Sequence, residues 1–253
     1  MPRTPAASRD RLIDHLVGGN LSHPLTDELS SMLASSSRFL RFADAHRDKI
    51  RKKLRTAGDA EALTDVRTEL RVAHLLLGDR RFELAFEEGA ARSGGPDFAV
   101  RYRGARPVAC EVTRMRRPPS EVRDAGPVLT KLRQLRPSIP NVLIIAIDGQ
   151  GAEELDVGGG VRWLRQRADA KDEAFFVRHG FTGAHDFYAR FLRLGAVITW
   201  CEGAAGEASA SAWTNRSTRI AVPERALRAM VAALRCPASH VVDGMKPPSS
   251  ASE

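Results

Sequence analysis

The chain has no apolar run longer than Val142 to Ile147. That is far short of the roughly 18 to 20 residues needed to span a bilayer, so no transmembrane helix is expected. Its first residues, MPRTPAASRDRLIDHLVGG, carry charge at Arg9 to Arg11 and again at Asp14, which breaks the apolar stretch of a secretory signal. A cytoplasmic location follows as the expectation. Cysteine is scarce. Cys110, Cys201 and Cys236 are odd in number and lack Cys-x-x-Cys or zinc-finger spacing, so they read as reduced and structural. His179 and His185 lack a helical metal spacing, and His74 reads as a histidine packed beside the core, which excludes a zinc enzyme. The glycines at 158 to 160 are not followed by Lys-Ser or Lys-Thr, and no G-x-G-x-x-G opens a helix after a strand, so nucleotide-triphosphate hydrolysis has no support. There is no internal repeat.

What is present is length, ordinary apolar content and positive charge. The 253 residues are 43% hydrophobic, enough for a real core. The net charge is +8, which favours polyanions by long-range attraction and counterion release. Nearly all the basic residues are Arg in an Ala-rich chain, a pattern that GC-rich coding also produces. Positive charge concentrates at Arg47, Lys49, Arg51, Lys52, Lys53 and Arg55, which read either as a solvated helix face or as a phosphate-binding surface.

Patterning predicts an α/β protein. Residues 1–24 show no sustained periodicity and are expected to be only partly ordered. Residues 25–58 form a helical lead-in of one or two helices, with Leu25, Leu29, Leu33, Phe39, Phe42 and Ile50 buried. Residues 59–150 form a core, beginning with a helix from Ala60 to Leu77 stopped by Gly78. Three strands follow, FELAFEE, PDFAVRY and VACEVTRM, joined by GAARSGG and RGAR. A helix from Val128 to Arg136 then leads into NVLIIAID, a continuous apolar run that reads as a buried strand. Residues 151–236 are expected to be an α/β extension packed on the core. It has a glycine loop to 160, helices from Val161 to Ala168 and His185 to Leu194, strands at AVITWCE and ASAWTN, and a last helix in PERALRAMVAALR. Residues 237–253 read as a flexible tail. Trp200, Trp213 and Phe187 read as core rather than as base-stacking groups.

Three carboxylates stand out because they fall where charge is expensive. In the Ala60 helix, Leu63, Val66, Leu70, Ala73 and Leu77 make an apolar stripe and Glu69 borders it. Asp97 starts a strand after Gly-Gly-Pro. Glu111 lies mid-strand, sharing a face with Ala109 and Thr113 while Val108, Cys110 and Val112 take the other. Carboxylates so placed need a cation or hydrogen bonds. Two strands and a packed helix could bring all three within reach of one hard divalent cation. Ordinary ion pairs with neighbouring arginines are the other reading.

Glu69, then Gly95-Pro96-Asp97, then Glu111-Val112-Thr113, on an α-β-β-β-α-β order, resembles the PD-(D/E)xK nuclease superfamily over residues 60 to 148. The segments RDKIRKKLR, PDF and EVTR also resemble those of a broad set of bacterial proteins. The resemblance implies a restriction-endonuclease-like core, a central mixed sheet flanked by helices. It implies Mg²⁺ or Mn²⁺ held by Asp97 and Glu111 with Glu69, and hydrolysis of DNA phosphodiester bonds. Arg47, Lys49, Arg51, Lys52, Lys53 and Arg114 would contact the nucleic acid. One position departs from the pattern: Thr113 stands where the superfamily has Lys, and Thr brings no positive charge. Another cation could substitute, with Lys131 on the next helix as the candidate, while Gln134, one helical turn later, could touch substrate or a metal-bound water. Otherwise the metal carries the whole load, or catalysis is lost and the chain is an inactive nucleic-acid-binding or protein-interaction domain.

Overall fold

The computed structural model describes residues 5–86, 96–115, 125–148, 155–203 and 207–235. Five helices come first: α1 (Pro5–Val17), α2 (Thr26–Ser35), α3 (Ser37–Ala45), α4 (Arg47–Thr56) and α5 (Ala60–Gly78). Strands β1 (Phe82–Phe86), β2 (Phe98–Tyr102) and β3 (Val108–Met115) follow. Helix α6 (Gly126–Lys131) runs into a 3-10 turn (Leu132–Gln134) and then β4 (Asn141–Asp148). Helices α7 (Val157–Asp169), α8 (Glu173–Arg178) and α9 (Ala184–Phe191) precede β5 (Leu194–Glu202), β6 (Ala208–Thr214) and α10 (Glu224–Leu234).

Among the described residues six strands form one mixed sheet in the order β1-β2-β3-β4-β5-β6. β3, β4 and β5 are parallel to one another, and the pairs β1–β2, β2–β3 and β5–β6 are antiparallel. The two parallel crossovers advance in the same direction across the sheet, and connections of one hand then place both sets of helices on one face. Strand alternation divides the core accordingly. Cys110, Val112, Val142, Ile144, Ala196 and Ile198 pack with the N-terminal helices and α10. Met115, Leu143, Ile145, Ile147 and Val197 pack with α6 to α9. β4 is apolar from Val142 to Ile147 because helices cover both of its faces.

Several boundaries depart from the sequence expectation. Residues 5–17 are helical rather than irregular: Leu12, Ile13, Leu16 and Val17 are buried at helical spacing, a stripe obscured by the charges between them. The lead-in is three helices, because Ser36 adopts extended backbone and its hydroxyl caps α3 by accepting from Phe39 N–H at 3.1 Å. The glycines at 158 to 160 lie inside α7, whose start is set by Asp156 accepting from Gly159 N–H at 2.7 Å. A Cβ at Gly159 would fall 2.2 Å from Asp156 Oδ2, so glycine here admits a close cap. Helix α8 was not anticipated. The helix expected from Val128 to Arg136 is instead six α-helical residues, Gly126–Lys131, finished by the 3-10 turn. β5 and β6 continue the sheet of β1 to β4, so the strands of the expected C-terminal extension enlarge that sheet. The connector GAARSGG and the tail 237–253 lie outside the described residues. At RGAR the turn uses positive φ at Arg103 and Gly104, 51° and 70°. No helix among the described residues is long and apolar enough to cross a membrane.

Asn141 fixes the start of β4. Fully buried, it accepts from Arg136 N–H at 2.9 Å and donates to the carbonyls of Arg136, Ile139 and Arg193 at 2.8, 2.9 and 3.0 Å. Each buried backbone group left without its partner costs about 1 to 3 kcal/mol. Asn141→Ala is therefore expected to lower the unfolding free energy by about 2 to 4 kcal/mol in urea melts. A loss under about 1 kcal/mol would mean that these groups find other partners.

Candidate functional site

Helix α4 turns Ile50 and Leu54 into the core, and Lys53 sits three residues after one and beside the other, on the border of the buried stripe. Its ammonium is thereby aimed at α5 and the start of β2 rather than at solvent. Lys53 Nζ donates to Glu69 Oε2 and, at 3.1 Å, to Asp97 Oδ1. The second oxygen of Asp97 accepts from Val112 N–H at 2.9 Å, a β3 donor just beyond the end of the β2 pairing. Extending the register of Phe98 opposite Cys110 by one residue sets Asp97 against Glu111.

Glu111 is 3% exposed and lies beside Leu143 of β4. Lys131, the last residue of α6, reaches it with Nζ 2.6 Å from Oε1. Glu111 Oε2 is buried and has no hydrogen-bond partner among the described residues. The chain of contacts thus runs Glu69, Lys53, Asp97, then across to Glu111 and Lys131. Thr113 shares the Glu111 face, beside Ile145. Gln134 closes the 3-10 turn one turn beyond Lys131, its Oε1 buried and likewise without a partner among the described residues.

Three carboxylates face two ammonium groups, and burial sharpens the mismatch. Desolvation, reinforced by the charge of Asp97, raises the Glu69 carboxyl to about 8 despite Lys53. Desolvation and Asp97 together raise Glu111 to about 7 against the pull of Lys131. Burial would lower Lys53, but attraction to Asp97 and Glu69 outweighs it and holds the ammonium above its ordinary value. Near neutral pH the cluster therefore tends to hold a proton, and a site that does so can exchange it for a cation.

The expectation that three acids would surround one ion needs correction. Among the described residues no three His, Cys, Asp or Glu side chains are grouped so as to hold a metal ion. The lysines intervene, and Glu69 meets Asp97 through Lys53. Asp97 and Glu111 remain adjacent and supply hard oxygens. A Mg²⁺ site needs only one or two carboxylates besides water and substrate phosphate, so this pair fits that ion.

The expected nucleic-acid contacts separate. Arg47, Arg51, Lys52 and Arg55 are exposed on α4, whereas Lys49 lies over the Phe86 ring, 4.7 Å from its centroid. Lys53 belongs to the acid cluster. Arg114 is held by Asp65 at 3.1 Å and by Glu61, with a side chain only 5% exposed, so it ties β3 to α5 instead of meeting phosphate. Trp200 and Phe187 are core residues, Trp200 donating to Leu234 O at 3.0 Å. His74 is buried edge-on to Phe39 and bonded to Ser35. Comparison with known protein families, with curated proteins and with solved structures finds no match, so the functional reading rests on this geometry.

The raised carboxyls make stability depend on pH. With folded values above unfolded ones, the folded chain holds protons that the unfolded chain has released, so stability is full below the ordinary carboxylate range and falls as pH rises toward about 8. Urea unfolding from pH 5 to 8 should show this decline, and Glu69→Gln should flatten it. Equal slopes for the two proteins would mean that Glu69 is ionised throughout.

Proposed function

We propose that the chain is a metal-dependent nuclease-like protein that hydrolyses phosphodiester bonds of DNA, with β1 to β4, α5 and α6 serving as a restriction-endonuclease-like core. The observation that carries this reading is the placement of Asp97, just before β2, opposite Glu111 of β3 when the strand register is extended by one residue, with Lys131 on Glu111 and one Glu111 oxygen without a partner among the described residues. Asp97 and Glu111 would hold Mg²⁺ or Mn²⁺, with Glu69 outside them behind Lys53. When bound, the ion supplies activation of water and neutralises charge on the leaving oxygen.

The chain's own residues supply the rest. Val112 N–H holds Asp97 in one orientation. Lys131 brings to Glu111, from a helix, the positive charge that Thr113 lacks on the strand. From there it can stabilise charge developing on a phosphate. The exposed Arg47, Arg51, Lys52 and Arg55 of α4 suit contacts to the sugar-phosphate backbone, which position a duplex without reading sequence.

A second reading, a nuclease-like domain that binds nucleic acid or a protein without cutting, is favoured by Thr113 and by lysines that already balance much of the acidic charge. Cleavage assays on single- and double-stranded DNA with Mg²⁺ or Mn²⁺ separate the two. The leading reading expects metal-dependent cutting that Asp97→Ala abolishes and that Lys131→Met slows by about 10²-fold or more. DNA affinity that weakens with salt, with no cutting by the natural protein, would select the second reading.

A further inference from the structure

We propose that Lys53 is a tethered competitor for the divalent cation, so that metal uptake must expel its ammonium from between Glu69 and Asp97. This rests on the metal-dependent reading above. Each oxygen of Asp97 is already engaged, Oδ2 by Val112 N–H at 2.9 Å and Oδ1 by Lys53 at 3.1 Å. The Val112 donor is fixed in β3, which is paired on both sides within the sheet, so Oδ1 is the oxygen whose partner can leave. A cation taken up through Oδ1 must therefore share that oxygen with an ammonium of like charge a few ångströms away.

Lys53 has somewhere to go. Its side chain is 27% exposed, against 16% for Glu69 and 13% for Asp97, so it is the member of the trio with the most open route to solvent. It is a point charge on a flexible stem that stays charged after leaving its partners. The neighbouring Lys52 and Arg55 are exposed on the same helix, so an expelled Lys53 adds its charge to the basic face of α4. Metal uptake then raises the attraction of that face for a polyanion. By reciprocity, a polyanion that draws Lys53 outward raises the affinity for metal.

Calorimetric titration of Mn²⁺ into the natural protein, Lys53→Met, Lys53→Gln and Asp97→Ala tests this without any activity measurement. Both Lys53 variants are expected to bind Mn²⁺ about tenfold or more tightly than the natural protein, and Asp97→Ala is expected not to bind. Removing Lys53 leaves two buried acids opposed, so cooperative thermal unfolding is checked first. If Lys53→Met has lost its fold, Lys53→Gln, which keeps a donor, carries the comparison. Binding that is lost in Asp97→Ala but unchanged or weaker in the Lys53 variants overturns the competitor role and leaves the metal site standing. No Mn²⁺ binding by any of the four proteins overturns both.

Discussion

Glu111 brings a carboxylate into the middle of β3, with Leu143 beside it and almost no access to water. A buried charge of this kind costs several kcal/mol unless a counter-charge meets it in good geometry. Lys131 meets it from α6, and that contact requires the rest of the arrangement. Helix α6 must lie over β3, and Asn141 must hold the point where β4 begins. The same requirement sets Asp97 against Glu111, since the β2–β3 pairing that ends at Phe98 leaves Val112 N–H for the Asp97 side chain.

Arginine and lysine divide their duties in this chain. Arginine tethers elements: Arg114 ties β3 to α5 through Asp65 and Glu61, Arg71 ties α5 to β5 through Glu202, and Arg38 bonds the carbonyls of Leu77 and Asp79 at 2.8 and 2.6 Å where α5 ends. A planar guanidinium with several donors suits fixed, multivalent contacts of this sort. Two of the few lysines, Lys53 and Lys131, go to the acid cluster. A composition dominated by Arg thus says little about partners, whereas the placement of two lysines says a good deal about the site.

The α-β-β-β-α-β order and the two faces of β3 were legible in the sequence because strand alternation and the apolar run of β4 are strong local signals. Glu69 and Glu111 stood out for a related reason, one bordering and the other interrupting an apolar pattern, and Asp97 stood out because it opens a strand after Gly-Gly-Pro. Helix α1 was harder to see because charges interrupt its stripe, and the glycines within α7 mimic a loop while serving a close cap. The acidic partners of Arg114 and Lys53 were not legible because side-chain destination depends on tertiary neighbours. For Lys53 a signal existed, since its phase relative to Ile50 and Leu54 puts it on the border of the buried stripe. No local pattern showed that Lys131 would return to Glu111 across a crossover.

The proposed hard-cation site joins Asp97 and Glu111, with Lys53 and Lys131 flanking them. Anomalous diffraction from crystals soaked in Mn²⁺ tests it most directly. The account predicts a peak within about 2.0 to 2.6 Å of an oxygen from each of Asp97 and Glu111, with Lys53 Nζ withdrawn from Asp97. Crystals that take up Mn²⁺ only elsewhere, with Lys53 and Lys131 still seated on the carboxylates, would contradict it.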